Sequence, residues 1–177
     1  MGLIGVAGLT TGAEPASAHH RDRLLAPKSV CPKQTDRSLR VKRQQAIMRC
    51  MHNYARKKRG KGTLRAQRKL TWSARRKAEE ILKCQQFSHN ACGREAFYWM
   101  RRTGFMRGCY GANENLALGS GRKGSVRRVM SSWLHSDGHR RALLHGRHRK
   151  FGIGMVRGSY RGLRRVQVWA AHFGYRC

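Results

Sequence analysis

Phe151-Gly152-Ile153-Gly154-Met155-Val156 and, further on, Val166-Gln167-Val168-Trp169-Ala170-Ala171 mark the point where the chain changes from a helical period to a period of two. Phe151, Ile153 and Met155 alternate with Gly152, Gly154 and Val156, and Val166, Val168 and Ala170 with Gln167, Trp169 and Ala171, the signature of strands with one face toward a core. The stretch between them is polar and carries Gly158, Ser159, Gly162 and Arg164, so the pair reads as a hairpin. Just upstream, Val126, Val129, Met130, Trp133 and Leu134 recur along one face of a helix spanning Ser125 to His135, with Ser125 as its N-cap. Asp137-Gly138 ends that helix, and a further helical turn is expected from His139 to Leu144. Helices first and an antiparallel pair last favour an α+β plan over a parallel βαβ one.

Working further back, Glu95 to Arg102 predicts a short helix between Gly93 and Gly104. Thr71 to Gln86 predicts a longer one, with Ala74, Ala78, Ile81 and Leu82 inside. Its wet side is read as Arg75, Arg76, Lys77, Glu79, Glu80 and Lys83. Ala46, Ile47, Cys50, Met51 and Tyr54 keep helical spacing in a first helix that runs into the basic stretch Arg56 to Lys61 and stops at Gly60 and Gly62. Residues 19–43 are polar, contain Pro27 and Pro32, and show no period. They are expected to form a poorly ordered basic lead-in tied down by Cys31, ahead of a domain over 44–177.

The 177 residues suit one domain, and a 40% hydrophobic fraction gives it a core, which excludes wholesale disorder. Thirty-nine Lys and Arg against eight Asp and Glu leave a net charge of +31. Such an excess cannot be paired internally, so it faces water and attracts anionic polymers or lipids. No aromatic residues interleave along a basic stripe, so a nucleic-acid reading rests on charge alone. Met1 to Leu9 is apolar and glycine-rich, and Ala16-Ser17-Ala18 offers a signal-peptidase site, so 1–18 reads as a signal peptide and the chain as secreted. No apolar stretch is long enough to span a membrane. All six cysteines follow the cleavage site, which points to disulfides in an oxidising compartment. Cys84, His89, Cys92 and Cys109 match the spacing of no common zinc module.

Five stretches, in order, resemble the CAP/SCP superfamily (cysteine-rich secretory, antigen 5 and pathogenesis-related proteins), particularly its bacterial secreted members. They are Phe87-Ser88-His89, Asn113-Glu114-Asn115-Leu116-Ala117, Trp133 through Arg140, Gly152-Ile153-Gly154-Met155, and Trp169 through Gly174. Cys50 through Arg56 is similar to the family's first helix, so the resemblance covers roughly 44–176. It implies a three-layer α-β-α sandwich with a small antiparallel sheet. It also implies an open cleft where two histidines and one or two glutamates converge, holding a divalent metal such as zinc in some members.

Carried over by position, the cleft residues are His89, Glu114 and His139, as ligand-binding groups or as metal ligands. Ser136 stands where many eukaryotic members have a second glutamate, and Asn113 where the family has glycine before the first. Each residue also has a plainer reading: His89 bonding loop backbone, Glu114 in an ordinary ion pair, His139 packing at a helix start. His135 is kept out of the site, and His145, His148 and His172 are given no role. Trp133, Trp169 and Phe173 are expected in the core, and the runs Arg56 to Lys61 and Arg161 to Arg165 on a solvated face. A bridge from Cys92 to Cys109 would clip the His89 loop to the approach to Glu114. The favoured function is a ligand-binding module for a lipid, sterol-like or envelope-derived ligand, since no serine or cysteine beside a base is evident. The alternatives are a metal-assisted hydrolase of peptide, ester or wall substrates and nonspecific polyanion binding. The export signal places the last away from intracellular nucleic acid.

Overall fold

The computed structural model describes residues 22–177, and the signal peptide expected over 1–18 lies outside them. The elements run α1 (Val41–Lys57), β1 (Arg65–Ala66), α2 (Arg68–Lys83), α3 (Tyr98–Arg102), β2 (Tyr110–Gly119), α4 (Val126–His135), α5 (Asp137–Leu144), β3 (Lys150–Tyr160) and β4 (Leu163–Arg176). The alternating stretches form β3 and β4, paired antiparallel along their length. β2 adds antiparallel to the other edge of β4 and β1 adds parallel to β3, giving the order β1-β3-β4-β2.

Helices cover both faces of this sheet, which gives the α-β-α sandwich. On one face Met48 and Met51 of α1 and Val129, Met130 and Trp133 of α4 pack on Phe151, Ile153, Trp169 and Phe173. Trp133, Trp169 and Phe173 are fully buried there, as expected, and each indole donates to a carbonyl, Trp133 to Leu116 and Trp169 to Gly124. On the other face Ala74, Ala78 and Ile81 of α2 lie over Leu116, Val166, Val168 and Ala170. The alternation of β3 has a specific purpose on this side: a Cβ on Gly152 would collide with the backbone at Leu70–Thr71, and one on Gly154 with that of Ala74. Glycine there lets helix and strand backbones touch.

Several expectations are corrected. The lead-in reaches the core over its described part: Leu24, Ala26 and Cys31 are buried, Cys31 bridges Cys50, and Gln34 donates to the carbonyls of Ala26 and Cys31. Cross-links and local hydrogen bonds replace the periodicity that its sequence lacks. Lys77 and Glu80 are buried rather than wet, because Lys77 reaches a loop carbonyl and lies 3.6 Å from Glu80. Arg56 is buried too, its guanidinium donating to the carbonyls of Gly62, Leu143, His145 and His148. Asp137 opens α5 rather than ending α4, with only Ser136, in extended conformation, between the two helices. Cys92 pairs with Cys84, and Cys109 with Cys177.

Candidate functional site

In the β2/β4 register Glu114 stands opposite His172. Directly opposed residues of an antiparallel pair project to the same face, here the one under α2. His172 Nε2 lies 2.7 Å from Glu114 Oε2, and His172 Nδ1 lies 2.7 Å from Ser73 Oγ on α2. The other carboxylate oxygen, Oε1, lies 2.7 Å from His89 Nδ1. Burial is the largest single influence on Glu114 and pushes its pKa up. Hydrogen bonds from His172 and His89, with the charges of His172 and Lys77, outweigh it and hold the carboxyl below its ordinary range. An ionised carboxylate only accepts, so both imidazole nitrogens facing Glu114 carry protons, and the far nitrogen of His172, Nδ1, faces the Ser73 oxygen. The result is a chain of four side chains, Ser73, His172, Glu114 and His89, of which only His89 reaches solvent, its side chain 52% exposed.

His89 sits on a loop that needs anchoring, because it has no helix or strand of its own. The Cys84–Cys92 bridge closes the loop at its base, Lys77 Nζ donates to the His89 carbonyl (2.8 Å), and Phe87 N–H donates to the Tyr160 hydroxyl (2.9 Å). Glu80 holds Lys77 from below and pairs with Arg94 on the far side of the loop. The Cys109–Cys177 bridge joins the approach to β2 to the end of β4, the two strands that carry Glu114 and His172. The preorganisation expected of a Cys92–Cys109 link is therefore achieved by two other pairings.

His139 is the third residue of α5, and its carbonyl accepts from Asn115 Nδ2 (3.0 Å), which ties the helix start to the residue after Glu114. Burial first and the charge of His89 second lower the His139 pKa, so the two imidazoles are electrostatic neighbours. His139 does not bond the carboxylate. Its buried Nδ1 and the buried Oδ1 of Asn115 both lack a protein partner. His139 also lines a cleft of about 500 Å³, whose lining includes the apolar Phe87, Leu116 and Val129 and the cationic Lys123 and Arg128. His135, set aside on sequence grounds, lines the same cleft, while its ring contacts the Ser131 carbonyl and Asp22.

The structure thus brings His89 and Glu114 into direct contact, sets His139 beside them, and adds two residues that sequence reasoning missed, His172 and Ser73. The order Ser73–His172–Glu114 is that of a hydrolase relay, and a serine does stand beside a base. Yet Ser73 and His172 are fully buried and the hydroxyl also donates to the Leu70 carbonyl (3.0 Å), so no substrate carbonyl can approach it. The residues do not fit a three-ligand metal centre either. Among the described residues no group of three His, Cys, Asp or Glu could hold an ion, and both Glu114 oxygens already accept from imidazoles.

Comparison with known proteins agrees with this architecture. No curated protein matches the chain. Among solved structures, an outer surface protein from Borrelia burgdorferi superposes with a TM-score of 0.63 at 21% identity, over 78% of this chain and 97% of that one. An extracellular SCP-domain protein from Bacillus anthracis gives 0.57 at 19% identity, over 76% of this chain and 43% of that one. A cysteine-rich secretory protein from Staphylococcus aureus gives 0.54 at 20%, over 73% and 38%. At these identities the likeness speaks for the fold. The family model described as "CAP: Cysteine-rich secretory protein family" matches residues 50–173, a span that holds His89, Glu114, His139 and His172 together, and the chain belongs to that family.

Proposed function

We infer that this chain is a secreted binding module whose cleft takes up a lipid or similar envelope-derived amphiphile, apolar tail against Phe87, Leu116 and Val129 and anionic head toward Arg128, Lys123 and His139. The observation that carries this reading is one opening lined both by the apolar Phe87, Leu116 and Val129 and by Lys123 and Arg128, which form no ion pair among the described residues, with the buried, unpartnered His139 Nδ1 belonging to a residue of the same lining. Buried polar groups without partners are uncommon, and a ligand headgroup or bridging water completes them. Three disulfides among the described residues suit an extracellular setting. The competing reading, a metal-assisted hydrolase, needs Glu114 free as base or ligand, and its oxygens are engaged.

Equilibrium uptake of radiolabelled phosphatidylglycerol, with phosphatidylcholine as the neutral-head control, tests the proposal. Saturable uptake favouring the anionic lipid is expected. Phe87→Ala, which trims a side chain 45% exposed, should weaken it about tenfold through lost apolar contact, and Arg128→Gln should erase the headgroup preference. Absence of saturable uptake overturns the reading.

A further inference from the structure

A second concave surface, of about 550 Å³, lies away from the cleft and shares no lining residue with it. Its cations come from four separate places: Lys69 at the start of α2, Arg147 and Arg149 after α5, Lys150 opening β3, and Arg176 ending β4. Among the described residues none of them takes part in an ion pair. Glu79, Glu80, Glu95 and Asp137 pair with basic residues outside this groove, and Glu114 with histidines. Five exposed like charges gathered in one groove with no Asp or Glu in its lining repel one another even through solvent, and an anion seated among them relieves that repulsion.

The guanidiniums are also fixed in place, unlike those of an ordinary basic surface. Arg147 lies over the Tyr175 ring at 4.3 Å and Arg176 over Phe105 at 5.7 Å. Arg176 Nη2 donates to the carbonyls of Gly104 and Phe105, and Arg149 Nη1 to those of Gly146 and His148. Aromatic faces hold Arg147 and Arg176, carbonyls hold one edge of Arg149 and Arg176, and the Cys109–Cys177 bridge pins the strand end that carries Tyr175 and Arg176. The rings are occupied in this task, so they do not serve as stacking platforms for bases. Along the sequence no aromatic residues interleave with a basic stripe; the fold assembles such an arrangement from residues 69–176.

We propose that this groove binds a linear phosphodiester polymer through its backbone phosphates, independently of the lipid cleft. Cations converging from several elements suit a tetrahedral anion, which accepts from many directions, better than a planar carboxylate. Because guanidiniums already cover the Tyr175 and Phe105 rings, the groove lacks the stacking platforms of a single-stranded nucleic-acid site, and the occupant that fits is a polyol-phosphate wall polymer.

The test compares Lys69→Gln/Arg147→Gln/Lys150→Gln with Lys57→Gln/Lys58→Gln/Arg59→Gln, which removes the same charge from exposed positions elsewhere. Each is titrated with purified polyol-phosphate wall polymer, a single-stranded oligonucleotide and polyglutamate across a salt series, after circular dichroism confirms the fold. The groove variant should bind the polyol-phosphate polymer about tenfold more weakly than the control. Its slope of log affinity against log salt should be shallower by about two units. A loss confined to the oligonucleotide overturns the proposal. Equal weakening in both variants, or a loss on polyglutamate as large as on the phosphate polymers, overturns the proposal.

Discussion

The two faces of the sheet treat histidine in opposite ways. Under α2, fully buried His172 has Glu114 on one nitrogen and Ser73 on the other. Under α1 and α4, equally buried His52 sits among Trp133, Phe151 and Phe173, with Nδ1 on the Met48 carbonyl and Nε2 on nothing. His148, stacked 5.6 Å from Phe173, repeats the pattern, bonded to the Ala142 carbonyl and unpartnered at Nε2. Burial, partly offset by the bond to the Met48 carbonyl and aided by the charge of Arg56, pushes His52 down to about 4, and burial with the His145 charge takes His148 to about 4. The same residue type is thus an apolar filler on one face and a polar connector on the other. What decides between these roles is whether a carboxylate lies in register, since burial is complete in both places.

The largest consequence concerns loss of the partner. Glu114→Ala leaves a buried imidazole N–H without an acceptor and should destabilise the protein by about 3–5 kcal/mol, whereas His52→Phe at pH 7.5 gives up one hydrogen bond to a carbonyl and should cost about 1 kcal/mol. Urea denaturation of both variants measures the gap, and equal losses would show that the two faces are energetically alike.

Acid should sharpen the contrast next. Folded His52 stays neutral down to about pH 4, while in the unfolded chain it protonates near its ordinary value of 6.5. Between those values the unfolded state binds more protons, so stability falls as pH drops, by about 3 kcal/mol for His52 over the whole window. Glu114 acts lower on the scale: with its pKa held down, its contribution is present above the ordinary 4.5 and disappears only as pH falls through the lowered value. Urea midpoints from pH 7.5 to 4 should therefore decline less steeply in His52→Phe than in the wild type, and parallel declines would remove His52 from the account.

The same contrast explains what the sequence could reveal. α1, α2 and α4 were legible from apolar spacing, and β3 and β4 from alternation, because their inward residues are apolar on at least one face. β2 was not: Asn113, Glu114 and Asn115 interrupt its pattern, because Glu114 meets His89 and His172 on one face while Asn115, on the opposite face, bonds the start of α5. His172 hid for the converse reason. It lies in the apolar run Trp169 to Phe173, and its partner is separated by 58 residues, joined to it only by strand register. Lys77 and Arg56 looked solvated because helical spacing cannot show that a loop carbonyl waits at the end of a long side chain. Family resemblance supplied His89, Glu114 and His139, but it could not say that His139 approaches without bonding the carboxylate.

The smallest effect lies at the exposed end of the chain. The Glu114 hydrogen bond raises the His89 pKa, while burial, and then the charge of His89, lower that of His139. His89 therefore adds stability that is fully present below pH 6.5 and fades as pH rises through its raised value, opposite in sign to His52. On acidification His89 should take its proton first, and that charge should delay His139 further. Nuclear magnetic resonance titration of the imidazole signals should show His139 protonating at lower pH than His89. Glu114→Gln should bring the two midpoints together, because a neutral amide favours the His89 cation far less. If the midpoints keep their separation in that variant, the carboxylate is not what sets the charge at the mouth of the cleft, and the link from buried Ser73 out to His89 is packing alone.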